Sequence, residues 1–278
     1  MIALYHETCQ ACSQLVTNRY STSFSLGIRM FGKRFRPPIY AIYGFVRLAD
    51  EIVDTMHDFD RAVLLERFRQ DTWQAIEEGV SLNPILHSFQ QVVNRYGIER
   101  ELIEAFLDSM AMDLNHSRYV DGLYQKYIYG SAEVVGLMCL RVFCEGNDAL
   151  YERLKAPARS LGAAFQKVNF LRDLRSDYDE RGRVYFPGVD FDNFTNEDKA
   201  AIEQDILKDF SDAYAGIVQL PPGVRLGVYV AYIYYLELFR KIRRTAAEKI
   251  RQQRIRVPNA RKIYLLCASA VRLRLNML

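Results

Sequence analysis

Apolar residues recur at three-to-four spacing along almost the whole chain, as expected of helices that each bury one face. The pattern predicts helices over Ile2–Arg19, Ile39–Thr55, Phe59–Glu78, Asn83–Tyr96, Arg100–Asn115, Gly122–Phe143, Asp148–Leu174, Asn196–Val218, Gly223–Lys249 and Asn259–Leu278. The first two are separated by the polar piece Ser21-Thr-Ser23 and the basic stretch Lys33-Arg-Phe-Arg-Pro-Pro38, whose prolines suit a helix start. A hydrophilic connection, Arg175–Asn196, contains Gly182, Pro187 and Gly188. Strand-type alternation never exceeds four residues, and neither a fixed-period repeat nor a low-complexity linker occurs. The expected fold class is therefore all-α: a single-domain helical bundle over residues 1–278, with a central cavity suited to a ligand.

Composition narrows the possibilities. Half of the 278 residues are hydrophobic, which excludes a disordered chain. A net charge of +3 is too small for a protein whose main partner is a nucleic-acid backbone. The 18 Tyr and 16 Phe supply much ring surface, while 15 Gly and 8 Pro are few for a turn-rich β protein. Met1-Ile-Ala-Leu-Tyr-His-Glu7 lacks the basic start and apolar run of a secretory signal, and no window reads as a bilayer span, so a cytoplasmic protein is expected. The five cysteines, Cys9, Cys12, Cys139, Cys144 and Cys267, are odd in number and are expected as reduced thiols. Cys9 and Cys12 have the spacing of a redox pair but no βαβ context.

The chemistry begins at Arg47-Leu-Ala-Asp50-Glu-Ile-Val-Asp54. On a helix, Arg47, Asp50 and Asp54 share one stripe, with Glu51 beside it. Two carboxylates one turn apart repel, and Ile42, Tyr43, Phe45, Val46, Leu48, Ile52 and Val53 mark this helix as mostly buried, so something positive should sit there. For one such pair alone, a solvated acidic edge is the plainer explanation. The pattern recurs, however, with Asp173 lying 123 residues after Asp50. Gln166, Asn169, Asp173 and Asp177 form a nearly straight stripe of oxygen-bearing side chains, backed by Phe165, Val168, Phe170 and Leu171. Such a donor set matches hard divalent cations, above all Mg²⁺, which keeps several waters and bridges to phosphate. Two facing stripes would grip a diphosphate through bridging metal, with Arg47, Arg172 and Arg183 donating to its oxygens. The implied chemistry is diphosphate departure to leave an allylic cation, shielded from water by apolar and aromatic walls.

The residues Ser21-Thr-Ser-Phe24, Tyr40 to Asp54, Phe165 to Asp177, and Gly182-Arg183-Val-Tyr185-Phe-Pro187 resemble the squalene/phytoene synthases over nearly the whole length of the chain. Both aspartate motifs, their order and their separation agree together. The resemblance implies an isoprenoid-synthase fold in which two prenyl diphosphates condense head to head. Two or three Mg²⁺ ions, or Mn²⁺ in their place, would bind Asp50, Asp54, Asp173, Asp177 and Asn169. Arg47 would contact diphosphate; Ser21, Phe24 and Tyr43 would sit near the substrate tunnels, Tyr129 and Gln166 near the reacting carbons, and Tyr235 near the leaving group. Tyr229, Tyr232 and Tyr234 crowd Tyr235, and spacing does not choose among them.

In the implied mechanism one diphosphate ionises and the other substrate's double bond attacks, giving a cyclopropylcarbinyl diphosphate that ionises, rearranges and is quenched. Squalene-type members quench with hydride from NADPH; phytoene-type members lose a proton. Tyr129-Gly-Ser-Ala-Glu133-Val-Val-Gly136 replaces the Val-Ala-Gly of many relatives and looks closer to bacterial phytoene synthases, so phytoene formation from geranylgeranyl diphosphate without NADPH is expected. The alternatives are a squalene or dehydrosqualene synthase using farnesyl diphosphate, and a non-catalytic relative acting as an assembly factor, from which loss of metal aspartates would be expected. Glu133 either faces the site or pairs with a helix neighbour. The segment Lys262–Leu278 is expected to pack on the core, with peripheral contact at a bilayer surface as its alternative.

Overall fold

A computed structural model describes residues 1–115 and 119–275. Thirteen α-helices form among the described residues: α1 (Ile2–Tyr20), α2 (Thr22–Arg29), α3 (Arg36–Asp54), α4 (Arg61–Glu78), α5 (Pro84–Tyr96), α6 (Arg100–Asn115), α7 (Asp121–Ile128), α8 (Val134–Cys144), α9 (Asp148–Arg181), α10 (Asn196–Ile217), α11 (Pro222–Arg243), α12 (Ala247–Gln252) and α13 (Asn259–Arg274). The fold is all-α, as the periodicity predicts.

The differences have local causes. Ser21 does not merely belong to a polar link: its hydroxyl accepts from the Phe24 N–H at 3.2 Å and starts α2, a helix the sequence reading missed. Residues predicted as one helix from Gly122 are divided by a π-type turn, Tyr129–Glu133. The helix predicted to end at Leu174 continues to Arg181, and the one predicted to reach Lys249 stops at Arg243. The last three residues of the predicted Asn259–Leu278 helix lie outside the described residues. Contrary to expectation, Gly122–Cys144 is long and apolar enough to cross a membrane, with a mean hydropathy of 1.3, but most of it is buried inside the bundle as a core element. All five cysteines are free thiols.

Burial of one face fixes each helix. Ile39, Ile42, Phe45, Ala49, Ile52 and Val53 turn α3 into the core, where the Phe45 ring stacks on Phe89 of α5 at 3.9 Å and meets Phe68 of α4 and Phe106 of α6. The opposite stripe of α3 is thereby left to face α9. Helix α9 packs on α8 and α10 and is keyed to α10 by the buried Lys167 ammonium, which lies 2.5 Å from Asp205 and 2.7 Å from Asp209.

Candidate active site

One cavity of about 730 Å³ opens between these helices. Its α3 wall presents Tyr43, Val46, Arg47, Asp50 and Asp54, and its α9 wall presents Phe165, Gln166, Asn169, Arg172, Asp173 and Asp177. All four aspartates of the two motifs thus face one space. Its far walls are largely apolar, among them Phe31, Leu140, Phe143, Leu154, Ile217 and Leu220.

Arginines neutralise the acidic stripes. Arg47 donates to Asp50 at 2.5 Å and to Glu51, and its guanidinium lies 4.3 Å above the Tyr20 ring. Arg47 Nε is buried without an acceptor among the described residues. Arg172 makes a forked pair with Asp173, and Arg254, from the segment between α12 and α13, adds a second guanidinium at 2.7 Å. Burial is the largest single influence on Arg172 and lowers its pKa, but the Asp173 hydrogen bond together with the charges of Tyr235, Asp173 and Tyr234 raises it overall.

Arg183 reaches the site because α9 ends at Gly182. That residue has φ +64°, where only glycine is unstrained, and the turn is closed by the Arg183 N–H donating to Asp177 O at 2.8 Å. The Arg183 side chain is buried between Asp54 at 2.8 Å and Asp113 at 3.7 Å. Asp113 was not anticipated; its only sequence signal is a charge inside the apolar run Met110-Ala-Met-Asp113-Leu. Its carboxylate accepts from Tyr127 at 2.7 Å, Tyr119 at 2.9 Å and Tyr185 at 3.3 Å. Burial pushes its pKa above the ordinary carboxylate value, against the opposing pull of Arg183.

The remaining predicted residues divide clearly. Ser21, Phe24 and Tyr43 line the cavity together, with the Phe24 and Tyr43 rings 5.1 Å apart. Gln166 donates to Ser131 at 3.4 Å and accepts from Asn169 at 3.5 Å. Among the crowded tyrosines, Tyr234 and Tyr235 line the cavity and Tyr229 and Tyr232 do not. The Tyr235 hydroxyl donates to Asn169 Oδ1 at 3.2 Å, and its ring stacks on Phe165 at 3.9 Å. Burial raises the Tyr235 phenol pKa.

Tyr129 is a correction, since it does not line the cavity. The π-type turn presses Gly130 against α6, where a Cβ would come within 2.3 Å of Ala105 O. This orientation gives Tyr127 and Ser131 to the cavity and leaves the Tyr129 ring 5.3 Å from the Arg159 guanidinium. Glu133 takes the second of its two options, pairing with Arg159 of α9 at 2.5 Å.

The donors available to a metal are all oxygens. Among the described residues no three carboxylate, imidazole or thiol groups converge on one point, so each aspartate pair offers only part of a coordination shell. That fits Mg²⁺, which completes its shell with water and phosphate oxygens.

An all-α bundle closed around such a cavity has the isoprenoid-synthase fold. A dehydrosqualene synthase crystallised with a ligand has the same fold, with a TM-score of 0.82 at 20% identity, covering 97% of this chain and 98% of that one. The family model described as Squalene/phytoene synthase matches residues 17–261, and the chain belongs to that family of prenyltransferases. A phytoene synthase from Pseudescherichia vulneris is 29% identical over 276 residues, covering 90% of this chain and 87% of the relative. A 4,4'-diapophytoene synthase from Staphylococcus haemolyticus is 28% identical over 210 residues, covering 73% and 70%.

Proposed function

We propose that this prenyltransferase condenses two geranylgeranyl diphosphates head to head into phytoene, with Mg²⁺ and without NADPH, using residues 1–278 as one domain. The observation that carries this reading is the convergence of both aspartate pairs, Asn169 and three arginines on one cavity with apolar walls. Asp50, Asp54, Asn169, Asp173 and Asp177 would hold the metal. When bound, Mg²⁺ supplies charge stabilisation to the departing diphosphate. Arg47, Arg172 and Arg183 donate to the diphosphate oxygens and orient the C–O bond that breaks. Arg47 Nε offers a donor already free of other acceptors. Gln166 and Tyr235 border the space next to these cations, and the Phe165–Tyr235 stack presents ring surface to a developing carbocation while excluding water. Each half-reaction releases one diphosphate and one proton: the first proton leaves as the cyclopropane closes, and the second leaves as the final cation becomes the neutral product.

Similarity to the diapophytoene synthase at nearly the same identity supports a second reading, condensation of farnesyl diphosphate to the shorter dehydrosqualene. Incubation of the purified protein with Mg²⁺ and either substrate, with and without NADPH, and mass-spectrometric identification of the product decides between them. Phytoene formed without reductant is expected. Product from farnesyl diphosphate alone would replace the first reading with the second, and squalene that requires NADPH would refute both.

A further inference from the structure

A second concavity, a cleft of about 590 Å³, lies outside the active site. Glu7, Gln10, Ala11 and Gln14 line it from α1, where offsets of three, four and seven put them on one face. The rest of the lining includes Arg29 at the end of α2, Lys33 in the 3₁₀ turn Lys33–Phe35, and Arg36 and Tyr40 in the first turns of α3. Three cations therefore meet a single carboxylate. They stand out against their surroundings, because residues 1–239 carry 25 Lys and Arg against 33 Asp and Glu, a net −8. A neighbouring cation, Arg34, is held by Glu145 at 2.7 Å and does not line the cleft. Arg29 and Lys33 are exposed and pair with no acidic group among the described residues. Arg36 is half-buried, and its Nε donates to Phe31 O at 2.8 Å. That bond fixes the guanidinium plane and leaves both terminal nitrogens for another acceptor. The dipole of α2 favours a cation at Arg29, but it does not account for three cations converging from three elements.

We propose that this cleft binds a multiply charged phosphate anion, of which inorganic diphosphate is the member that a prenyltransferase acting on prenyl diphosphates releases. Guanidinium forks and an ammonium match phosphate oxygens, and the amides of Gln10 and Gln14 add neutral donors. With Glu7 offsetting one of three cations the cleft is net +2, which favours a dianion or higher over a monoanion. Ile28, Ile39 and Tyr43 line the active cavity, while their chain neighbours Arg29, Arg36 and Tyr40 line the cleft. Helix α2 and the start of α3 are thus the wall between the two sites. An anion held between α1 and this wall restrains the helix that carries Phe24 of the cavity. The binding depends on the cleft's own charges and not on which prenyl chain is condensed.

The test is calorimetric titration of the full-length protein with sodium diphosphate in EDTA, without substrate. EDTA removes the cations that a diphosphate needs beside the four aspartates of the active cavity, so the cleft is the site read. One diphosphate per chain is expected, binding at least tenfold more weakly as NaCl rises from about 50 to about 500 mM. Arg29→Glu/Lys33→Glu should weaken binding at least tenfold. Ala11→Phe, which fills the cleft without changing its charge, should do the same, whereas Arg34→Glu should change it less than threefold. All should keep the wild-type melting temperature in the absence of diphosphate. Hydrogen exchange over residues 24–35 of the unaltered protein should slow when diphosphate is added, a readout that no variant's folding affects. Failure of the wild type to bind, undiminished binding by Arg29→Glu/Lys33→Glu or by Ala11→Phe, a loss in Arg34→Glu as large as theirs, or unchanged exchange overturns the proposal. So does binding abolished by Arg172→Ala, which would assign the anion to the active cavity, or a glutamate-rich peptide that binds more tightly than diphosphate, which would assign the cleft to an acidic partner.

Discussion

Replacing Asp113 by Asn tests whether the buried carboxylate behind Arg183 organises the site. The side chain keeps its size but loses its charge, and one acceptor oxygen becomes a donor facing tyrosine hydroxyls now 2.7–3.3 Å away. Removing one partner of a buried ion pair destabilises by about 3–5 kcal/mol. Two features place this case at the low end. Arg183 keeps Asp54 at 2.8 Å, and the upward pKa shift of Asp113, caused first by burial, means that the fold already opposes its ionisation. A loss of about 3 kcal/mol corresponds to a fall in Tm of about 6–12 °C for a chain of this size. Arg183, anchored by one carboxylate instead of two, should also lower kcat/KM about tenfold, or about 1.4 kcal/mol of transition-state stabilisation. Calorimetry and initial-rate kinetics on the same preparation measure both. A Tm within about 2 °C of wild type would refute the claim that the Asp113 network holds Arg183.

The other expected outcomes are more local. Asp50→Ala or Asp173→Ala should each cut turnover by more than about 10²-fold with little change in the circular-dichroism melt; wild-type turnover in either variant removes that residue from the site. Lys167→Met leaves Asp205 and Asp209 without their shared cation, and because Asp205 is about half exposed the loss should be about 2–3 kcal/mol, at the low end for a broken buried pair, read by urea denaturation; Asp209→Asn should cost less. His87 is buried and accepts from the Ser81 N–H at 3.2 Å through Nδ1 while its Nε2 meets His6 at 2.8 Å. Burial holds its pKa below the ordinary value of 6.5. The unfolded chain therefore takes up the proton first, and stability is lost as pH falls below about 6.5, by at most about 1.4 kcal/mol per pH unit. Between pH 7.5 and 5.5 the Tm of His87→Gln should fall less than that of wild type, and an equal fall would count against this assignment.

The sequence revealed the reactive side of this molecule better than its supports, for a physical reason. Asp50/Asp54 and Asp173/Asp177 are visible because helical spacing places like charges together on buried helices, an arrangement that needs positive charge close by. Arg47 follows from the same spacing, one turn before Asp50, and Arg172 from its place next to Asp173, with which it pairs. What periodicity cannot encode is the rotation of one element against another. Tyr129 and Tyr127 sit two positions apart, and which of them meets the cavity is settled by Gly130 closing onto Ala105 and by the π-type turn that follows. Tyr234 and Tyr235 are distinguished from Tyr229 and Tyr232 in the same way, by how α11 is seated. Asp113 and Arg254 depend on partners 70 and 81 residues away in the chain, beyond the reach of any local pattern. Arg183 is the instructive intermediate. Its place after the second motif is readable, but its burial against Asp54 depends on the left-handed turn at Gly182, so an alanine there should loosen this cross-motif contact without altering any charged residue.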